Sequence, residues 1–237
     1  MRRLAYSVIV LIGLIVAVFF FTHMLGDPAR LMLRPEATPE QVEAVRTRLG
    51  LNDPLHVQFL RFMGGALRGD FGDSLWQRAP ALPIMLDRLP NTLYLAGVTM
   101  LIAVPLAILL GIVSALRPGS IIDRISTVVG LAGVSIADFW FGLMLILFFA
   151  VNLQWFKTSG FGGFEYVVLP ALALMVRPLG RISQVIRSSM LDQLGQPYIT
   201  TARSKGLSER VVVTLHAMKN AAIPSLTLVG DEAAALL

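Results

Sequence analysis

Residues 92–116 read TLYLAGVTMLIAVPLAILLGIVSAL, without one charged side chain. A helix rises 1.5 Å per residue, and the hydrocarbon of a bilayer is about 30 Å thick, so about 20 apolar residues cross it. Backbone groups have no water to bond in lipid, and only a helix or closed barrel satisfies them. The run therefore predicts a membrane-spanning helix. Thr99, Ala103, Ala107, Gly111 and Ala115 recur every four residues, which puts small side chains on one face. Small faces let helix backbones approach closely in lipid. The stripe predicts tight packing against another helix, in this chain or a partner. Pro105 is expected to kink the span.

Three further windows have the same character, at about 5–25, 126–151 and 166–186. Arg2 and Arg3 precede the first, as in a signal peptide. Its apolar run exceeds the roughly 7–15 residues of a signal core and no small-residue cleavage site follows, so it reads as a retained helix. A fifth apolar stretch begins after Pro224, is interrupted by Asp231 and Glu232, and reaches Leu237. The composition agrees: of 237 residues 55% are hydrophobic and 15% charged, with mean hydropathy +0.71. Soluble domains are about 25% charged. A disordered chain and an ordinary cytosolic enzyme are excluded, and the absence of cysteine excludes a disulfide scaffold.

A net charge of +5 and a pI near 10.1 would suit nucleic acid, but the charges sit between spans and exclude that partner. Their placement instead gives an orientation, since short cytoplasmic loops are rich in Lys and Arg. Arg2 and Arg3 precede the first span, and Arg117 and Arg124 follow the second. Arg187, Arg203, Lys205, Arg210 and Lys219 follow the fourth, and Lys157 alone follows the third. The N-terminus is expected inside and residues 26–91 outside. That outer segment carries eight Arg and eight acidic residues, so it is neutral. It reads as a small helical cap packed on the membrane part. Thr38-Pro39-Glu40-Gln41 has the form of a capping box, Val42, Val45 and Leu49 repeat at helical spacing, and Gly50 is placed to end the helix. A second helix is expected from Pro54, burying Leu55, Phe59, Phe62 and Met63.

Counting along continuous helices puts Asp138 and Arg177 near the bilayer midplane. A lone charge there costs at least about 2.5–3.5 kcal/mol. The two are expected to pair, or to line a wet pathway, unless the span edges lie elsewhere and one reaches an interface.

Residues 187–224 are polar and basic between apolar runs. Pro197 can open a short helix, Gly206 can close it, and Ser208 can cap a second, with Leu207, Val211, Leu215 and Met218 on one side. The element is suited to docking another protein, or to lying on anionic lipid as an amphipathic helix.

The stretch from Tyr198 to Glu209, followed by His216-Ala-Met-Lys-Asn-Ala-Ala-Ile-Pro224, resembles the EAA loop of ABC-importer permeases, closest to the dipeptide/oligopeptide branch. Thr200, Thr201 and Ala202 stand where the motif has Glu-Ala-Ala, and Gly206 is its spaced glycine. Gly26-Asp-Pro-Ala-Arg30, Glu36 to Pro54, Gly69-Asp-Phe-Gly-Asp-Ser74, Arg88-Leu-Pro-Asn-Thr92, Arg187-Ser-Ser-Met190 and Gly195-Gln-Pro-Tyr198 match in order. The resemblance covers the chain to about Gly230. It implies an all-α polytopic bundle, the type I importer fold, in the bacterial or archaeal inner membrane. Residues 1–91 would form the first span and the extracytoplasmic segment, and 92–237 the permease domain. It further implies a dimer with a second, homologous permease, two cytoplasmic ATPase subunits that carry ATP and magnesium, and an external binding protein. Thr200, Thr201, Ala202, Arg203, Lys205, Gly206 and Leu207 would dock an ATPase. Family members continue through a complete fifth and a sixth helix, so this sequence reads as lacking most of the fifth and all of the sixth, and Asp231-Glu232 reads as altered sequence.

Other classes find less support. No Lys follows a Gly, so no phosphate-binding loop exists here and no cofactor is expected on this chain. Gly133-Val-Ser135-Ile-Ala137 lacks the last glycine of a nucleophile elbow. His23, His56 and His216 have no metal-ligand spacing. A non-transporting membrane scaffold, or a truncated remnant of such a permease, remains the alternative.

Overall fold

The computed structural model describes residues 2–24, 27–31, 33, 37–74, 76–77, 79–160 and 162–237. Gly26 and Glu36 of the quoted motifs, and Leu25 at the edge of the first window, lie outside them. Among the described residues there is no strand, only an isolated bridge between Asp73 and Pro80. The helices are α1 (Arg2–Met24), α2 (Pro28–Leu31), α3 (Pro39–Leu49), α4 (Leu55–Ala66), α5 (Ala81–Leu116), α6 (Ile121–Ser135), α7 (Asp138–Leu145), α8 (Phe164–Leu194), α9 (Pro197–Ser204), α10 (Glu209–Val211) and α11 (Met218–Ala235). A π-helical turn, Ile146–Asn152, continues α7, and another, Val212–Ala217, joins α10 to α11. The chain forms two compact units, 1–89 and 90–237. The division expected between 91 and 92 falls inside α5.

In the first unit the capping box is complete. The Gln41 backbone N–H bonds the Thr38 hydroxyl, and the Thr38 N–H bonds the Gln41 side chain. Gly50 ends α3 at φ 66°, a left-handed conformation that costs glycine nothing. Asp27 accepts the Ala29 N–H and pairs with Arg46 at 2.8 Å, which fixes α2 to α3. Phe59 and Phe62 of α4 close on Phe19 of α1, at ring separations of 5.3 and 5.9 Å. Leu55 is not on that buried side; it is 51% exposed.

The second unit is built on α8. The core joins Ile182, Ile186 and Met190 of α8 to Ala107 and Ala115 of α5, Ile199 and Ala202 of α9, and Val212, Val213, Ala217 and Ala221 of the last helix. α5 is longer than its apolar window and passes through Pro90 and Pro105. All five stripe residues, Thr99, Ala103, Ala107, Gly111 and Ala115, are buried. At Gly111 a Cβ would lie 2.7 Å from Ile186 Cβ and 2.8 Å from the Ser183 carbonyl, so the face meets α8.

The third window is not one helix. α6 ends at Ser135, Ile136 and Ala137 are extended, and α7 leaves at 109° to α6. Unbroken hydropathy concealed a break in the backbone. A carboxylate at position 138 marks a helix start, where exposed N–H groups favour negative charge. By length and composition α5 and α8 are candidate spans, and the bent α6–α7 pair is a third; in α1 the apolar stretch is Tyr6–Phe21.

The last apolar stretch also differs from expectation. The helix that begins at Glu209 runs through Pro224 to Ala235, and Asp231 and Glu232 lie within it.

Candidate functional site: a helical elbow and a buried charge cluster

α9 begins with Pro197 at its first position, where the missing N–H costs nothing. Ile199 and Ala202 are buried, so α9 is anchored in the core by one face. Thr200, Thr201, Arg203, Lys205 and Leu207 are exposed. Of the proposed docking residues Ala202 is thus the exception, because its methyl faces this chain's own interior. The Tyr198 hydroxyl donates to Gln193 Oε1 at 2.7 Å and accepts from Asn220 Nδ2 at 3.1 Å, tying α9 to α8 and α11.

The turn at Gly206 is left-handed, φ 78°, with open space where a Cβ would stand. The Gly206 N–H bonds the Arg203 carbonyl at 2.9 Å. A side chain here would be strained by the backbone angle and not by crowding. Arg203 reaches across the turn to Glu209 with two bonds, 2.6 and 3.3 Å, and the carboxylate holds its guanidinium above the usual arginine range. Ser208 stands at the start of α10 but its hydroxyl makes no cap. The expected stripe is displaced as well. Val212, Val213, Ala217 and Ala221 are buried, whereas Leu215 is 64% exposed. The buried positions fall in the π turn and at Ala221 of α11, and the π turn changes the angular spacing that a regular helix would give.

Asp138 and Arg177 are not brought together as an ion pair. Asp138 opens α7, exposed at the bend, so residue counting along one unbroken helix does not give its depth. Arg177, on α8, faces Glu232 of α11 at 3.8 Å. Glu232 is only 2% exposed, and Arg181, one turn from Arg177, donates to its other oxygen. Asp231, more than two-thirds exposed, lies 3.9 Å from Arg181. Asp231-Glu232, read as an anomaly of the sequence, is the acidic half of an Arg–Glu cluster.

A second cluster escaped the sequence reading. Asp123, in the first turn of α6, accepts from Arg187 Nε and, at 2.9 Å, from Arg187 Nη2, and takes the Gly119 N–H at 2.8 Å. Arg187, expected to follow the fourth span, lies within α8. Between the clusters α6 and α8 touch through glycine. A Cβ on Gly180 would fall 2.5 Å from Gly130 Cα, and one on Gly133 2.7 Å from the Val176 carbonyl. Gly133 of the abortive nucleophile elbow is therefore a packing residue. Among the described residues no group of His and acidic side chains could hold a metal.

Helices of spanning length, glycine-mediated crossings and a polar elbow anchored by one face define a polytopic helical membrane protein. The chain belongs to the binding-protein-dependent transport system inner membrane components. The model of that component matches residues 107–237, and the model of its N-terminal part matches residues 1–96. The chain is 37% identical over 241 residues to the oligopeptide transport system permease protein AppB of Bacillus subtilis (strain 168), covering 97% of this chain and 76% of that protein. It is 37% identical over 238 residues to the glutathione transport system permease protein GsiC of Salmonella paratyphi A, covering 100% and 78%. To the protein of that name in Escherichia coli (strain K12) it is 39% identical over 223 residues, covering 94% and 73%.

Proposed function

We propose that the chain is one of two homologous permease subunits of an ATP-driven importer that takes peptides, glutathione or related small solutes from an external binding protein. Two cytoplasmic ATPase subunits hydrolyse ATP, and one docks on the elbow around Gly206. The names of the relatives support the solute class. The Lys and Arg of the short loops support an inside N-terminus and an inside elbow.

The observation that carries the coupling role is the two-sidedness of α9. Thr200, Thr201, Lys205 and Leu207 are free to meet a partner, while Ile199 and Ala202 are set in the core against α8 and α11. A push on the outer face moves the helices that the inner face grips. ATP binding by the partners then biases a two-state membrane unit, a rigid-body switch between inward- and outward-facing forms.

The test is uptake of a labelled dipeptide and of glutathione into vesicles that contain the assembled transporter, with and without ATP. Gly206→Val is expected to leave ATP hydrolysis within about twofold and to abolish uptake, because the turn cannot keep φ 78° with a β-branched residue. Normal uptake by Gly206→Val removes the coupling role. An amphipathic helix merely resting on lipid would tolerate the change.

A further inference from the structure

The exposed side of α8 is polar through its middle. Arg177, Gln184 and Ser188 are exposed and Arg181 half-buried, at helical spacing on one face. Gly180 meets Gly130 of α6 on one flank, and Arg181 meets Glu232 of α11 on the other. Arg177 stands about 20 Å along the axis from Phe164 and about 25 Å from Leu194 at 1.5 Å per residue, so it sits near the centre of a candidate span. Guanidinium there cannot face hydrocarbon; it faces water, protein or a ligand.

The cluster is asymmetric. Arg181 donates to the buried Glu232 and has Asp231 at 3.9 Å. Arg177 has one carboxylate, at 3.8 Å, beyond hydrogen-bond reach, and its side chain is 46% exposed. Among the described residues its planar fork of N–H donors makes no hydrogen bond, and Glu232 stands beside its Nε. Such a fork matches a carboxylate in two-point geometry.

We propose that Arg177 is the specificity-determining residue of the solute pathway, presenting its guanidinium to the carboxylate of the passing solute, and that Glu232 is the positioning residue that holds it. The inference rests on the import reading above and names the solute chemistry this chain selects, an anionic carboxylate end. Glu232 sets the strength of the contact. By drawing on the same positive charge it keeps the solute's hold transient, as a pathway requires.

The chain has no cysteine, so a single introduced thiol reports its surroundings without background from this subunit. Gln184→Cys is placed in the full transporter in membrane vesicles. It is treated with two water-soluble methanethiosulfonates of similar size, one ending in sulfonate and one in trimethylammonium, each rate normalised to a free thiol. Both are expected to label, the anionic reagent at least about fivefold faster. Leu101→Cys, on an apolar site of α5 that is 75% exposed, is expected to stay unlabelled. Adding Arg177→Gln should bring the two rates within about twofold. Trialanine at millimolar concentration should slow the labelling, and its C-terminal amide should not.

A thiol at 184 that does not react, a rate ratio that Arg177→Gln leaves unchanged, or equal protection by acid and amide overturns the proposal. If Arg177→Gln does not reach the membrane because the buried Glu232 is left with Arg181 as its one cationic partner, Arg177→Gln/Glu232→Gln removes both charges, and the same collapse of the ratio is required of it. Failure of wild-type vesicles to accumulate trialanine, dipeptide or glutathione with ATP sinks the import reading. An unchanged ratio in vesicles that do import sinks the arginine alone.

Discussion

Gly111 shows how one residue can be legible in its role and silent about its partner. The four-residue rhythm of Thr99, Ala103, Ala107, Gly111 and Ala115 announces a packing face from sequence alone, since periodicity is local. What it meets, Ile186 and the Ser183 carbonyl of α8, lies far along the chain and has no local signature. The position has no room for a side chain. Gly111→Leu is expected to destabilise the membrane unit by about 1–3 kcal/mol through overpacking, read as a lower melting temperature of the detergent-purified protein. Gly97, on the same helix with nothing within 4 Å of its missing Cβ, is the control. Gly97→Leu should leave the melting temperature unchanged. At Thr38 the residue and its consequence were both visible, because a capping box is written within four residues. Thr38→Ala is expected to cost about 1 kcal/mol, seen as weaker protection of the α3 amides from hydrogen exchange.

At the scale of elements, sequence reading was least secure where charge and hydropathy disagree. The window at 126–151 is apolar enough to read as one span, yet it turns by 109° at Ile136–Ala137. Asp138 is the one legible sign, since the same carboxylate suits a helix start as well as a paired charge within a span. The same holds at the other end of α6. Asp123 and Arg187 are 64 residues apart in sequence, and only the fold makes them a clamp. Their bidentate contact, with the Gly119 N–H, pins the start of α6 and the preceding turn to α8. Asp123→Asn keeps the size but discards the charge and leaves Arg187 with a weaker partner. It is expected to lower the melting temperature and to raise proteolysis at the 117–120 turn. Asp123→Asn/Arg187→Gln should recover much of the loss, because removing one member of a buried pair is worse than removing both. A double variant no more stable than the single would show that the clamp is not what joins the two helices.

At the scale of the whole molecule, what remains to be fixed is sidedness, and the bilayer supplies the means. The family and its all-helical architecture follow from motifs spread along the chain, but a family does not state which face of a membrane a loop occupies. The charge distribution supports an assignment: Arg117, Arg124, Arg203, Lys205, Arg210 and Lys219 stand in short basic loops, expected inside, and the neutral segment with eight Arg and eight acidic residues is expected outside. The proposed docking of an ATPase on the elbow requires the elbow inside, and the proposed delivery by an external binding protein requires the neutral segment outside. Gln77 and Lys205 are both exposed and neither has an ordinary structural duty, so each accepts a cysteine in this cysteine-free chain. In intact cells that make the permease without the ATPase subunits, a membrane-impermeant maleimide is expected to label Gln77→Cys and to spare Lys205→Cys until the membrane is permeabilised. The reverse pattern would put the Gly206 turn outside, beyond the reach of any ATP-driven partner, and the coupling proposal would fall with it, since no rearrangement of an exposed elbow can be driven from the far side of the lipid.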